Sequence, residues 1–150
     1  MARLIQETVS PETKIADVAS GKGYLRAALH QLGYRHIESW DRRQRCAGGR
    51  SYRYGYFQWD QAPRNYGAVI AMHPDEGTDH AVLYAAERRV PGAICPCCIK
   101  PSAITYWGQY SYGAWCTHLE SLAVTRGASV AWKRLPITGR SLVMLVNLEP

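Results

Sequence analysis

The chain has no apolar run long enough to cross a bilayer, which takes about 18 residues or more. Its first residues, MARLIQETVSPETK, lack the apolar centre of a secretory signal. Neither membrane insertion nor secretion is expected, and the cytoplasm is the default compartment. Low-complexity tracts, internal repeats and linker-like stretches are missing too, so a single domain over residues 1–150 is expected. Cysteine is present without a pattern that staples a fold. Of Cys46, Cys95, Cys97, Cys98 and Cys116, three crowd into Cys95-Pro96-Cys97-Cys98, where neighbours are poorly placed to bridge one another. The same spacing lacks the two separated ligand pairs of a zinc site, with only Cys116 and His118 as remote completers, so no metal is expected. These thiols read as small buried side chains at a strand end.

What remains has the composition of an ordinary folded domain. The 150 residues are 47% hydrophobic and 20% charged, which excludes collagen-like, coiled-coil and disordered chains. Eighteen Lys and Arg against twelve Asp and Glu leave a net charge of +6, which favours polyanions or acidic surfaces as partners without identifying one.

Apolar residues at 14–18 run into Ala19-Ser20-Gly21-Lys22-Gly23, after which Tyr24, Leu25, Ala28, Leu29 and Leu32 recur at helical spacing until Gly33. A second short strand at 36–40 closes on Asp41, so the first forty residues form a βαβ unit with parallel strands. The nearly unbroken apolar run at 66–72 suits a strand covered on both faces. Helical spacing over 78–89, with cations at its end, predicts a crossover helix. A strand at 92–99, a helix at 112–126 and β-rich runs at 130–135 and 141–148 around a turn complete the pattern. This is an α/β chain with a mostly parallel sheet and a C-terminal antiparallel hairpin. Between 42 and 65 only a strand at 54–59 is predicted, with little room for the usual preceding helix.

In an open parallel sheet, ligands bind beyond the carboxyl ends of the strands. Asp17 to Gly23, Asp41, Asp60 and the turn from Met72 to Gly77 should therefore share one cleft. Gly21 and Gly23 permit close backbone approach to a ligand, and the following helix N-terminus offers free N–H donors. Asp41 ends the next strand, where a carboxylate can accept both hydroxyls of a ribose; alternatively it only caps the chain by accepting nearby N–H groups. Asp60, in Trp59-Asp60, could receive the amine of an adenine.

Asp17-Val18-Ala19-Ser20-Gly21-Lys22-Gly23-Tyr24-Leu25, then Asp41, then Trp59-Asp60, resemble the first three motifs of the class I S-adenosylmethionine (SAM)-dependent methyltransferases. The resemblance implies a Rossmann-like seven-stranded sheet and SAM as cofactor. It places Gly21 and Gly23 against the methionine part, Asp17 near the amino group, Asp41 on the ribose and Asp60 near the adenine, with Met72 completing the cofactor set. Ala19 departs from the family, which usually has glycine there; if the position needs a positive φ, alanine costs about 1 kcal/mol. A dinucleotide site would want a third glycine at position 26, where Arg26 stands.

Met72-His73-Pro74-Asp75 followed by Cys95-Pro96-Cys97-Cys98 resembles a subgroup with a His-containing turn and paired cysteines, which includes tRNA 2′-O-methyltransferases. By that resemblance His73, Pro74 and Asp75 face the acceptor; His73 could then serve as base with Asp75 orienting its ring, or, as a histidine before proline at a strand end, only bond the backbone. Lys100 is a candidate to stabilise a developing alkoxide, or is simply solvated. Arg42, Arg43, Arg45, Arg50 and Arg53, interleaved downstream with aromatic residues, read as an RNA-facing stretch or as a solvated face. A second aromatic belt, Tyr106, Trp107, Tyr110, Tyr112 and Trp115, either walls the acceptor pocket or closes the core with its polar ends in water. The leading expectation is a SAM-dependent methyltransferase acting on tRNA or rRNA, with a protein partner supplying substrate recognition. Its rivals are a non-catalytic methyltransferase-like subunit and a small-molecule methyltransferase.

Overall fold

The structure, a computed structural model, describes residues 1–44 and 51–148. Its strands are β1 (Ile15–Val18), β2 (Ile37–Asp41), β3 (Tyr52–Tyr54), β4 (Ala68–Met72), β5 (Gly92–Cys95), β6 (Val130–Arg134) and β7 (Leu142–Val146). Three α-helices, α1 (Tyr24–Gln31), α2 (Thr78–Arg88) and α3 (Tyr112–Val124), join them, with short 3₁₀ turns at Ala2–Leu4 and Asp75–Gly77. The strands form one sheet in the order β3-β2-β1-β4-β5-β7-β6. Pairing is parallel from β3 to β5, and β7 runs antiparallel to both β5 and β6. The mostly parallel sheet with its C-terminal hairpin is therefore as the residue pattern predicts. Among the described residues no helix is long and apolar enough to cross a membrane.

β1 and β5 are buried at every position because apolar layers cover both faces, which is why they read as continuous apolar runs. On one face α2 and α3 bring Ala81, Val82, Trp115 and Leu119 against Val69, Ile94 and Met144. On the other, Leu29 of α1 joins Ile5, Val9 and Tyr34 over Ile15, Ile37 and Ile70. The buried Tyr34 hydroxyl donates to the Val9 carbonyl at 2.7 Å and so pins the N-terminal segment to the end of α1. The alanines of α2 let the helix lie close to β5, and Gly92 completes the fit: a Cβ there would stand 2.8 Å from Cβ of Ala85.

Two strands end well short of where the sequence pattern places them, each for a local reason. The third strand is Tyr52–Tyr54, not 54–59, because Ser39, Trp40 and Asp41 of β2 are the partners within reach. Beyond it the chain turns inward, and Phe57 packs edge-on against Trp40 and Tyr84 with ring centroids 5.5 Å and 5.4 Å apart. No helix occurs between β3 and β4; Phe57, Tyr66 and Tyr84 cover that part of the sheet instead. Burying each such ring contributes about 1.5–3 kcal/mol. β5 stops at Cys95 because Pro96 has no N–H to continue a ladder.

Candidate functional site

The order of the strands reverses between β1 and β4, so the connections leaving their carboxyl ends diverge and open a crevice. A cavity of about 400 Å³ lies there. The turn after β1 forms its floor. Ala19 has φ +55°, followed by Gly21 at +56° and Gly23 at +77°, so three of five successive residues are left-handed. Alanine therefore does occupy a glycine-type conformation, as the family comparison anticipated. Gly23 is the N-cap of α1 and is not part of the cavity wall; its role is to turn the chain into the helix.

Asp41 fixes this turn from the neighbouring strand. Its Oδ2 accepts the Gly21 N–H at 2.8 Å and its Oδ1 accepts the Arg43 N–H at 2.8 Å. The carboxylate thus caps the chain and also faces the cavity, and its remaining lone pairs leave room for further donors. Asp17 is buried on the same wall, its Oδ2 accepting from Ser39 Oγ at 3.3 Å. Burial pushes its carboxyl up to about 7, against the Ser39 hydrogen bond and the Arg26 charge, which act the other way. A cation docking beside Asp17 would restore its ionised form. Trp40 also faces the cavity, with its indole N–H donating to the Tyr66 hydroxyl at 2.9 Å.

The sequence reading is corrected at Asp60. Neither Asp60 nor Trp59 lines the cavity, because β3 ends early and the segment passing the rim is Gly55, Tyr56 and Phe57. Trp59 instead gives its backbone N–H to His80 Nδ1 at 3.2 Å, and Asp60 is exposed nearby. The wall also holds Trp40 of β2, which no sequence signal marks as a site residue, and Tyr56 and Phe57, from a stretch whose composition reads as RNA-facing or solvated.

At the opposite end Met72, His73, Pro74 and Asp75 line the cavity. His73 and Asp75 both have left-handed backbones, φ +54° and +50°. The Asp75 carboxylate does not serve the His73 ring, contrary to the expected pairing. His73 Nε2 lies 2.8 Å from the Arg140 carbonyl in the β6–β7 turn. Asp75 Oδ1 instead accepts from Cys98 Sγ at 2.9 Å and Cys97 Sγ at 3.4 Å and pairs with Lys100 Nζ at 3.5 Å. The Cys98 hydrogen bond above all holds the Asp75 carboxyl below its ordinary range. Lys100 is thus neither simply solvated nor on the cavity wall.

Arg42 and Arg43 border the cavity, Arg42 donating to the Tyr56 hydroxyl at 2.8 Å and facing Glu76, Arg43 standing 3.9 Å from Asp41. Arg53 pairs with Glu38 at 2.9 Å. Arg45 and Arg50 lie outside the described residues. The second aromatic belt does not wall the cavity: Tyr106 and Trp115 are core residues, whereas Trp107 and Tyr110 are 90% and 80% exposed.

The strand order, the reversed terminal hairpin and the glycine turn facing an acid at the end of the second strand define the fold of the class I SAM-dependent methyltransferases. No protein-family model matches the chain, and no curated protein sequence does. Solved structures do. Human N-acetylserotonin methyltransferase in complex with SAM is 13% identical with a TM-score of 0.58, over 99% of this chain and 52% of that one. A TehB-like SAM-dependent methyltransferase from Corynebacterium glutamicum is 12% identical with a TM-score of 0.55, over 99% and 86%. DesVI from Streptomyces venezuelae is 13% identical with a TM-score of 0.62, over 97% and 89%. The chain therefore spans about half of the human protein and most of the two bacterial ones. At these identities the likeness is one of fold.

Proposed function

We propose that this chain is a SAM-dependent methyltransferase whose acceptor is RNA. The observation that carries the cofactor assignment is the meeting of Gly21, Asp41 and the buried Asp17 on one wall of a cavity of about 400 Å³, within the range of small-molecule sites. Asp17 receives an ammonium, Asp41 the ribose hydroxyls, and Phe57 offers an apolar face to the base. Bound SAM supplies a methyl group on a sulfonium, so the chain has only to align an acceptor and remove its proton. His73 at the far end is the group for that proton, once its ring nitrogen leaves the Arg140 carbonyl. Support for RNA comes from the net charge of +6, from Arg42 and Arg43 at the rim, and from the exposed rings of Tyr24, Tyr56 and Trp107.

Calorimetry with SAM and S-adenosylhomocysteine tests the cofactor; no heat at millimolar ligand would remove the proposal. Labelled methyl transfer to total RNA, protein and metabolites in parallel tests the acceptor, and transfer to metabolites alone would replace RNA with a small molecule. One observation favours a second reading, a cofactor-binding subunit without turnover that works with a protein partner: the His73 ring is engaged by a backbone carbonyl and has no carboxylate behind it. Binding without transfer, in the presence of all three acceptor pools, is the outcome that reading expects.

A further inference from the structure

The loop after β5 returns to the turn after β4 and sets two adjacent thiols on one carboxylate. Cys97 Sγ and Cys98 Sγ are 3.3 Å apart, and both lie against Asp75 Oδ1, at 3.4 Å and 2.9 Å. All three ligand atoms fall within 4.8 Å of one another. A thiol is a weak hydrogen-bond donor, and serine would serve a carboxylate better. What two sulfurs offer that two hydroxyls do not is affinity for a soft or borderline metal ion.

We propose that Cys97, Cys98 and Asp75 form a binding site for a divalent transition-metal ion of the zinc type. Metal–sulfur bonds of about 2.3 Å and metal–oxygen bonds of about 2.0–2.2 Å in tetrahedral geometry set ligand atoms about 3.5–3.8 Å apart. The observed triangle is slightly tighter than this, and small side-chain rotations open it. Binding exchanges the two thiol protons for one divalent ion, forming two metal–thiolate bonds and one metal–carboxylate bond with no change of oxidation state. Charge also closes: the ammonium of Lys100, 3.5 Å from Asp75, neutralises the single negative charge left on a centre of two thiolates, one carboxylate and one divalent ion. Three protein ligands leave a fourth position for water or another donor. The cysteines are half-buried and Asp75 is also part of the cavity wall, so the ion has a route in from solvent.

The ligand set does not rest on the SAM assignment, although Asp75 borders the same cavity, and its test uses no cofactor. The purified full chain, stripped with chelator and reduced, is titrated with Co²⁺ alone and followed by absorption. The expected result is one ion per chain with a thiolate-to-metal charge-transfer band, lost in both Cys97→Ser and Cys98→Ser and kept in Cys116→Ser. Asp75→Asn should weaken binding by about tenfold or more. Should a variant fail to fold, Zn²⁺ protection of the wild-type chain against thiol alkylation, mapped by peptide mass, decides: Cys97 and Cys98 are shielded together if the site exists. Absence of both the band and the protection, or a band that follows Cys95 or Cys116 instead, overturns the proposal.

Discussion

At the Gly21 end of the cavity, every element is tied by the backbone: Asp41 accepts the Gly21 and Arg43 N–H groups, and Ser20 N–H reaches the Trp40 carbonyl at 2.9 Å. At the His73 end the wall is a short turn with two left-handed non-glycine residues, held from outside by Arg140, Lys100 and two thiols. The first end is preorganised for a ligand of fixed shape. The second is held by side chains that can change partner, which suits a site where a proton or an acceptor must come and go.

The largest expected effect breaks the two ends apart. His73→Ala should leave SAM affinity within about twofold yet lower transfer by about 10²-fold or more, the usual contribution of a positioned base; equal losses in both would show that the ends are not separate. Asp41→Ala should do the reverse. It strips two backbone donors of their acceptor and removes the proposed ribose contact, costing about 2–3 kcal/mol of SAM binding by calorimetry.

Asp17 gives a pH signature confined to the Gly21 end. Its carboxyl rises from 3.8 to about 7 in the folded chain through burial. The folded protein then holds a proton that the unfolded chain releases. Stability from this group is full below about pH 4 and is lost as pH climbs through 7, by on the order of 4 kcal/mol in all. An ammonium ligand wants the ionised form, so SAM affinity should rise by up to about tenfold per unit as pH approaches 7 and level off above it. A flat profile between pH 5 and 8 would remove the ammonium from beside Asp17. The smallest effect belongs to Ala19→Gly, which relieves the strain at φ +55°. Thermal unfolding should show a net gain of at most about 0.5 kcal/mol, the relief being offset by the greater freedom of glycine in the unfolded chain.

The parts of this arrangement that could be read in the sequence are those where one residue type carries the physics alone. The apolar run ending in Gly21 and Gly23 marks β1 and its turn, and Asp41 follows from counting to the next strand end. β3 is not legible because its three residues are too few to show a period, while the aromatic residues at 54–59 imitate a longer strand; the later strand end that these suggest would set Asp60, and not Phe57, at the cavity. The Asp75 cluster was illegible for a different reason. Ligand spacing in sequence argued against a metal because Cys97 and Cys98 lack a second pair nearby; their carboxylate partner comes from another strand connection, brought over by the parallel pairing of β4 with β5.

Trp40 lines the cavity beside Phe57 and joins the Phe57, Tyr66 and Tyr84 rings that replace a helix. Its indole is therefore a fluorophore placed at the cavity's edge, with a polar partner, the Tyr66 hydroxyl, to tune the emission. Titrating the protein with S-adenosylhomocysteine should change that emission, and Trp40→Phe should silence the change, so occupancy of the cavity can be followed in real time without a label.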